Sequence, residues 1–151
     1  VLVMFAGAAP YPIVIARDSR AKVVYSNEIN REANKYAELN IGLNKVKGRV
    51  VLLPGDIKRV AQKVKEKFDV IVMPRPQLKD MFLREAFSLS KKGTRIYYYD
   101  FCKEDEIKGI VNKIKSEALK SKKKIKILKI KKAGEIAPYK FRIRVDFEVL
   151  G

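Results

Sequence analysis

The chain has 151 residues, with 34 lysines and arginines against 17 acids for a net charge of +17, one cysteine and no histidine. One domain with a real core is the expectation at this length, and the lone Cys102 without any histidine excludes an internal disulfide, a zinc centre and imidazole-based acid–base catalysis. No apolar run reaches the roughly 18 residues of a membrane span and no signal-like segment is present, so a soluble cytoplasmic protein is expected.

The charge excess predicts attraction to a polyanion, nucleic acid being the obvious one. Lysines solvating the helices of a heat-adapted protein would give a similar total. Residues 120–132, however, hold eight lysines and no acid, so the excess is a patch. The sequence opens with valine directly inside an apolar run, which leads us to expect a fragment lacking an N-terminal region.

In chain order, residues 1–5 predict a buried parallel strand, then a small-residue turn, then a helix over 10–17 opened by Pro10, with Ile13, Val14 and Ala16 packing on the sheet. Residues 22–26 predict a second strand ending at Asn27-Glu28. Asn30 is placed to cap a helix over 31–39 whose Ala33, Tyr36, Ala37 and Asn40 share a face. Gly48 precedes a third strand at 50–53. Pro54-Gly55-Asp56 forms the next turn, and Asp56 caps a helix with Val60, Val64 and Phe68 at four-residue spacing. Residues 69–73 read as a fourth strand buried on both faces, ended by Pro74-Arg75-Pro76. A helix over 78–90 closed by Lys91-Lys92-Gly93, a fifth strand at 94–100 and a helix over 104–119 follow.

Two alternating segments, 124–132 and 141–149, then predict an antiparallel pair, with Ile125, Ile127 or Leu128, and Ile130 inward and about eight residues between the strands. Five strand–helix units followed by such a pair define a doubly wound, mainly parallel seven-stranded α/β sheet with a C-terminal antiparallel hairpin.

In such sheets ligands bind where strands end. The first turn offers Ala6-Gly7-Ala8-Ala9, small enough for close approach, yet it is neither a dinucleotide fingerprint nor a P-loop. Glu28 follows Gly7 by 21 residues, where a carboxylate accepts from both hydroxyls of a ribose, and Asp56 can accept from an adenine amino group. Taken singly, Glu28 reads equally as a loop acid and Asp56 as a helix cap. At the ends of successive strands they outline an adenosine pocket.

The stretches FAGAAPY at 5–11, NEINREANKYAELNIGLNKV at 27–46, GDIKRV at 55–60, MPRP at 73–76 and APYKFRIRVDF at 137–147 together resemble the archaeal and eukaryotic tRNA guanine-37 N1-methyltransferase family and the related wyosine-pathway aminocarboxypropyltransferases. The resemblance spans essentially the whole chain and implies a Rossmann-like, class I fold that uses S-adenosylmethionine to modify tRNA beside the anticodon. It implies that Phe5, Ala6, Gly7 and Pro10 wrap the methionine end, that Glu28 holds the ribose, that Ile29 packs on the adenine, and that Asp56 and Ile57 bracket its edge. Ala9, Tyr11 and Met73 complete the expected cofactor set. Pro74 and Arg75 are the candidates at the reacting base, with Arg75 a donor to a base or phosphate.

Three positions depart from the family pattern. Val3 stands where an acid is usual, Ala9 replaces the second glycine of the turn, and Met73-Pro74-Arg75-Pro76 replaces Asn-Leu-Pro. The family's proposed base lies upstream of the first of these motifs. Phosphate contacts are expected from Lys122, Lys123, Lys124, Lys126, Lys129, Lys131 and Lys132. No metal is expected, and a monomer is favoured. The competing expectation is an inert paralogue that serves as an RNA- or partner-binding module.

Overall fold

A computed structural model describes residues 1–74 and 79–151, in two compact units, residues 1–65 and 66–151. The expected Arg75 and Pro76, and the start of the helix expected at residue 78, lie outside the described residues.

The first unit contains β1 (Leu2–Val3), α1 (Pro10–Asp18), β2 (Val24–Glu28), α2 (Arg31–Leu43), β3 (Val50–Pro54) and α3 (Ile57–Lys63). Its strands are parallel, Leu2 opposite Tyr25 on one side of the unit's sheet and Val24 opposite Val50 on the other, which puts β2 in the middle. Leu2, Val3, Met4, Ile13, Val24, Ala37, Ile41 and Val50 are buried. β1 is shorter than its apolar run because Phe5 turns to a positive φ of 56° and breaks the extended backbone. Val14, expected to pack, is 51% exposed, so α1 buries only the stripe of Pro12, Ile13 and Ala16.

Asn30 caps α2 as expected, its side chain accepting from the Ala33 amide at 3.1 Å. The helix runs on to Leu43, burying Ala37 and Ile41 while Tyr36 is exposed. Asn30→Ala is expected to cost about 1 kcal/mol, read as a lower urea midpoint at unchanged slope. Asp56 likewise caps α3, accepting from the Lys58 amide at 3.0 Å. That helix ends at Lys63, with Val64 already extended, and the expected Val64 and Phe68 positions are not helical.

The second unit contains β4 (Phe68–Met73), α4 (Leu83–Ser88), β5 (Ser90–Cys102), a 3₁₀ turn (Glu104–Glu106), α5 (Ile107–Lys120), β6 (Ile125–Ala137) and β7 (Lys140–Val149). β4 and β5 are parallel, and β7 lies antiparallel between β5 and β6. The seven expected strands are thus all present, three in the first unit and four in the second. The expected helix over 78–90 contracts to six residues. Lys91-Lys92-Gly93 is not its last turn but a bulge inside β5, between the pairs Phe68–Ser90 and Val70–Arg95. Gly93 supplies φ 91° there, and the Thr94 hydroxyl closes the bulge, accepting from the Lys91 amide at 2.9 Å and donating to the Phe68 carbonyl at 2.6 Å.

The core of this unit is Phe87 against Phe147, ring centroids 6.0 Å apart, with Ile96, Tyr98, Ile114, Val145 and Val149. The Tyr98 hydroxyl donates to Asp100 at 2.8 Å, which is how a fully buried tyrosine is tolerated. The hairpin corrects one expectation. Its strands are joined by Pro138-Tyr139 alone rather than by about eight residues. A register shift between Ile127 and Lys129 absorbs Leu128, so that Ile125, Ile127 and Ile130 stand opposite the buried Val149, Phe147 and Val145, on the expected inward face; on this edge strand Ile130 is still 44% exposed. No described helix is long and apolar enough to cross a membrane.

Candidate functional site

The carboxyl ends of the first unit's strands are tied together by side chains from β2 and α2. The turn after β1 carries three left-handed residues, Phe5, Gly7 and Ala9, with φ of 56°, 60° and 69°. Two of them bear side chains, which is costly backbone held only where surroundings enforce it, and such strain concentrates at ligand sites. The surroundings are identifiable. The Ala6 amide donates to the Asn27 carbonyl at 2.9 Å, the Ala9 amide to the Ala6 carbonyl at 3.0 Å, and the Asn40 side chain to the Ala8 carbonyl at 3.1 Å.

Glu28 sits at the centre of this frame. One carboxylate oxygen accepts from the Gly7 amide at 2.9 Å and the other from the Asn30 amide at 2.8 Å. An ionised carboxylate has about four acceptor sites, so each oxygen keeps one for a ligand. The side chain therefore points at the opening turn and joins it to the cap of α2. A Cβ added at Gly7 would meet nothing within 4 Å beyond its chain neighbours. Ala6 and Ala9 are buried.

Asn27 performs the same service for the third turn. Buried to 2% exposure, it donates from one nitrogen to the Leu53 carbonyl at 2.8 Å and the Gly55 carbonyl at 3.0 Å. The Gly55 amide in turn donates to the Glu28 carbonyl at 3.0 Å, and Asn34 donates to that same carbonyl at 2.9 Å. Asp56 is thereby fixed beside the end of β2. Our reading of the sequence gave Asn27, Asn34 and Asn40 no part in the site; the available signal was four asparagines, at 27, 30, 34 and 40, in one strand–helix unit.

The remaining candidates fall into groups. Ile29 is 66% exposed, an apolar side chain held at the mouth of the frame, whereas Ile57 is buried and turns its side chain into the fold. Phe5, Tyr11 and Pro74 are half-buried, and Pro10 is exposed as the first helical residue. Met73 is fully buried at the end of β4. Prolines at 10 and 12 remove two of the amides that a helix N-terminus would offer an anion. That end of α1 is a poor pyrophosphate cradle and suits a ligand lacking phosphate, which sets it apart from dinucleotide sites.

In the second unit the lysines do not share one face. Lys126, Lys129 and Lys131 stand opposite Glu148, Asp146 and Arg144 of β7, whereas Lys132 stands opposite Ile143 on the other face. Lys132 pairs with Glu104 and lies 4.3 Å over the Phe141 ring. Lys122 and Lys124 are exposed, and Lys123 lines a cleft with Arg84 and Lys120. Arg144 is held by both oxygens of Asp146, at 2.7 and 2.9 Å, which raises its pKa above the usual guanidinium value.

Parallel α/β units whose first turn is small-residued and anchored by an acid at the end of the second strand are the architecture of Rossmann-like methyltransferases. The chain belongs to the TRM5/TYW2 methyltransferase domain family, whose model matches residues 1–128. It is 35% identical over 147 residues to the tRNA (guanine(37)-N(1))-methyltransferase Trm5b of Pyrococcus abyssi, covering 97% of this chain and 42% of that protein. The crystal structure of Trm5b from that organism superposes with a TM-score of 0.85 at 34% identity, over 99% of this chain and 44% of the other. M. jannaschii TYW2 in complex with AdoMet superposes with a TM-score of 0.82 at 26% identity, over 99% of this chain and 68% of that one. The chain thus spans less than half the length of the first of these relatives.

Proposed function

We propose that the chain is the cofactor-binding part of an S-adenosylmethionine-dependent transferase that modifies tRNA beside the anticodon, by methyl transfer to N1 of guanosine 37 or to a wyosine precursor at that position. The observation that carries this reading is Glu28, whose two oxygens are each held by a backbone amide and each keep one acceptor site. Two acceptors fixed side by side match the two hydroxyls of a ribose. Ile29 then offers an apolar surface to the purine, and Asp56 an acceptor to its amino group. The open space at Gly7 and the amide-poor start of α1 suit a methionine arm bearing a sulfonium rather than phosphates.

When bound, the cofactor supplies an electrophilic methyl group. The chain's contribution is to fix the adenosyl end, so that the methyl is presented at about 3 Å to the attacking ring nitrogen. Pro74, at the end of β4, stiffens the approach on the second unit. The N1 proton must pass to a base as the methyl arrives. The lysines at 122, 123, 124, 126, 129 and 131 hold the RNA through phosphates, while Lys132 stays with Glu104 on the other face. If all six are engaged, log affinity should fall against log salt with a slope of roughly −4. A slope near zero in fluorescence anisotropy would remove the patch from the account.

The chemistry is tested by incubating the protein with S-adenosylmethionine and a tRNA transcript carrying guanosine at position 37, then digesting the RNA for mass spectrometry. A methyl increment on that guanosine is expected. An aminocarboxypropyl increment would reassign the transferred group, and cofactor binding with no increment on any tRNA would mark the chain as a binding module.

A further inference from the structure

We propose that the tip of the β6–β7 hairpin is a base-stacking finger, in which Tyr139 lies on an unpaired nucleobase of the RNA; the inference rests on the reading that RNA is the substrate. β5 ends at Cys102, opposite Phe141, and Phe141 is opposite Glu135. Residues 136–140 therefore project beyond the last residue of β5, at the carboxyl edge where β4 ends in Met73 and Pro74. The tip thus reaches out on the same edge of this unit's sheet as Pro74.

What the tip carries is unusual for a solvated turn. Ala137 pairs with Lys140, so the chain reverses through Pro138 and Tyr139 alone, and Tyr139 is held at φ 63°. Glycine or asparagine is the ordinary choice for that conformation. A tyrosine there accepts backbone strain and is nonetheless 82% exposed, beside Ile136 at 51%. Neither side chain contributes to a core, so the fold does not account for them. Residues 131–142 bear four cations, Lys131, Lys132, Lys140 and Arg142, against the single acid Glu135.

An aromatic ring on a rigid corner with lysines behind it matches a base beside its phosphates, the arrangement proteins use for single-stranded RNA. A protein partner would instead call for a broader apolar surface around the ring. The order of the two features also fits: the lysines of β6 lead along the strand to the ring at its end.

The chain contains no tryptophan, so Tyr139→Trp installs a single tryptophan at the tip, excited selectively above the absorption of the tyrosines. Titration with an RNA stem-loop should quench it saturably, and a blunt duplex of equal length should not. Tyr139→Ala should weaken stem-loop binding about tenfold and leave duplex and S-adenosylmethionine binding unchanged, with the far-ultraviolet melt as the check on folding. Anisotropy of labelled stem-loop separates two failures. RNA that binds without quenching, or with equal affinity for the Ala variant, overturns the finger while the RNA reading stands. No RNA binding by the unaltered protein overturns the RNA reading, and the finger with it.

Discussion

Glu28→Ala is expected to weaken S-adenosylmethionine binding by about a hundredfold, near 3 kcal/mol, because two hydrogen bonds from ribose hydroxyls to a charged acceptor are lost together. The loss has a second component. Glu28 also accepts from the amides of Gly7 and Asn30, so its removal frees the first turn from the cap of α2. Glu28→Gln separates the contributions. Its amide keeps one acceptor oxygen, but sets an NH₂ against an amide N–H, so the variant should retain the fold and still bind more weakly than wild type. Equilibrium dialysis with labelled cofactor reads the affinity, and urea unfolding reads the turn. A Glu28→Ala protein that binds as tightly as wild type would remove the carboxylate from the site.

The second large effect is expected at Asn27. Asn27→Asp changes no volume, but replaces a nitrogen donating to the Leu53 and Gly55 carbonyls by an oxygen that repels both, at a position 2% exposed. Two half-buried carbonyls lose their donor and a carboxylate is placed at a buried position facing them, so a destabilisation of about 3 kcal/mol is expected. Cofactor affinity should fall with it, because the same contacts fix the turn that carries Asp56. A urea midpoint equal to wild type would show that the clasp between β2 and the third turn contributes nothing.

The parts of the site that sequence makes legible are those where residue type and position agree. A small-residue turn after an apolar run, an acid at the end of the next strand and an aspartate before a helix each follow from local chemistry, and Glu28 and Asp56 lie where the pattern puts them. Asn27 and Asn40 were not legible in the same way. Their partners are the Leu53, Gly55 and Ala8 carbonyls, 26 to 32 residues away, and no local pattern announces such a contact.

The errors in the fold have the same origin. Val60, Val64 and Phe68 are spaced as one helical face, but Phe68 begins β4 and donates its amide to the Leu89 carbonyl, a long-range bond that overrides periodicity. Lys91-Lys92-Gly93 has the chemistry of a helix end. It becomes a bulge because Thr94 binds back to Phe68. In the hairpin, Gly134 and Pro138 suggested a wide loop, yet only Pro138 lies in the turn while Gly134 stays paired opposite Arg142. Ile130 reaches the inward face, opposite Val145, because a register shift near Leu128 absorbs one residue, an adjustment that strict alternation does not announce.

An adenosyl group is expected to occupy the frame built by Gly7, Glu28 and Asp56. Calorimetric titration of the unaltered chain with S-adenosylmethionine tests this most directly. One saturable site per chain, competed by adenosine and indifferent to a nicotinamide dinucleotide, is the predicted result. Absence of both heat and thermal stabilisation at millimolar ligand, in protein shown to be folded, would contradict it.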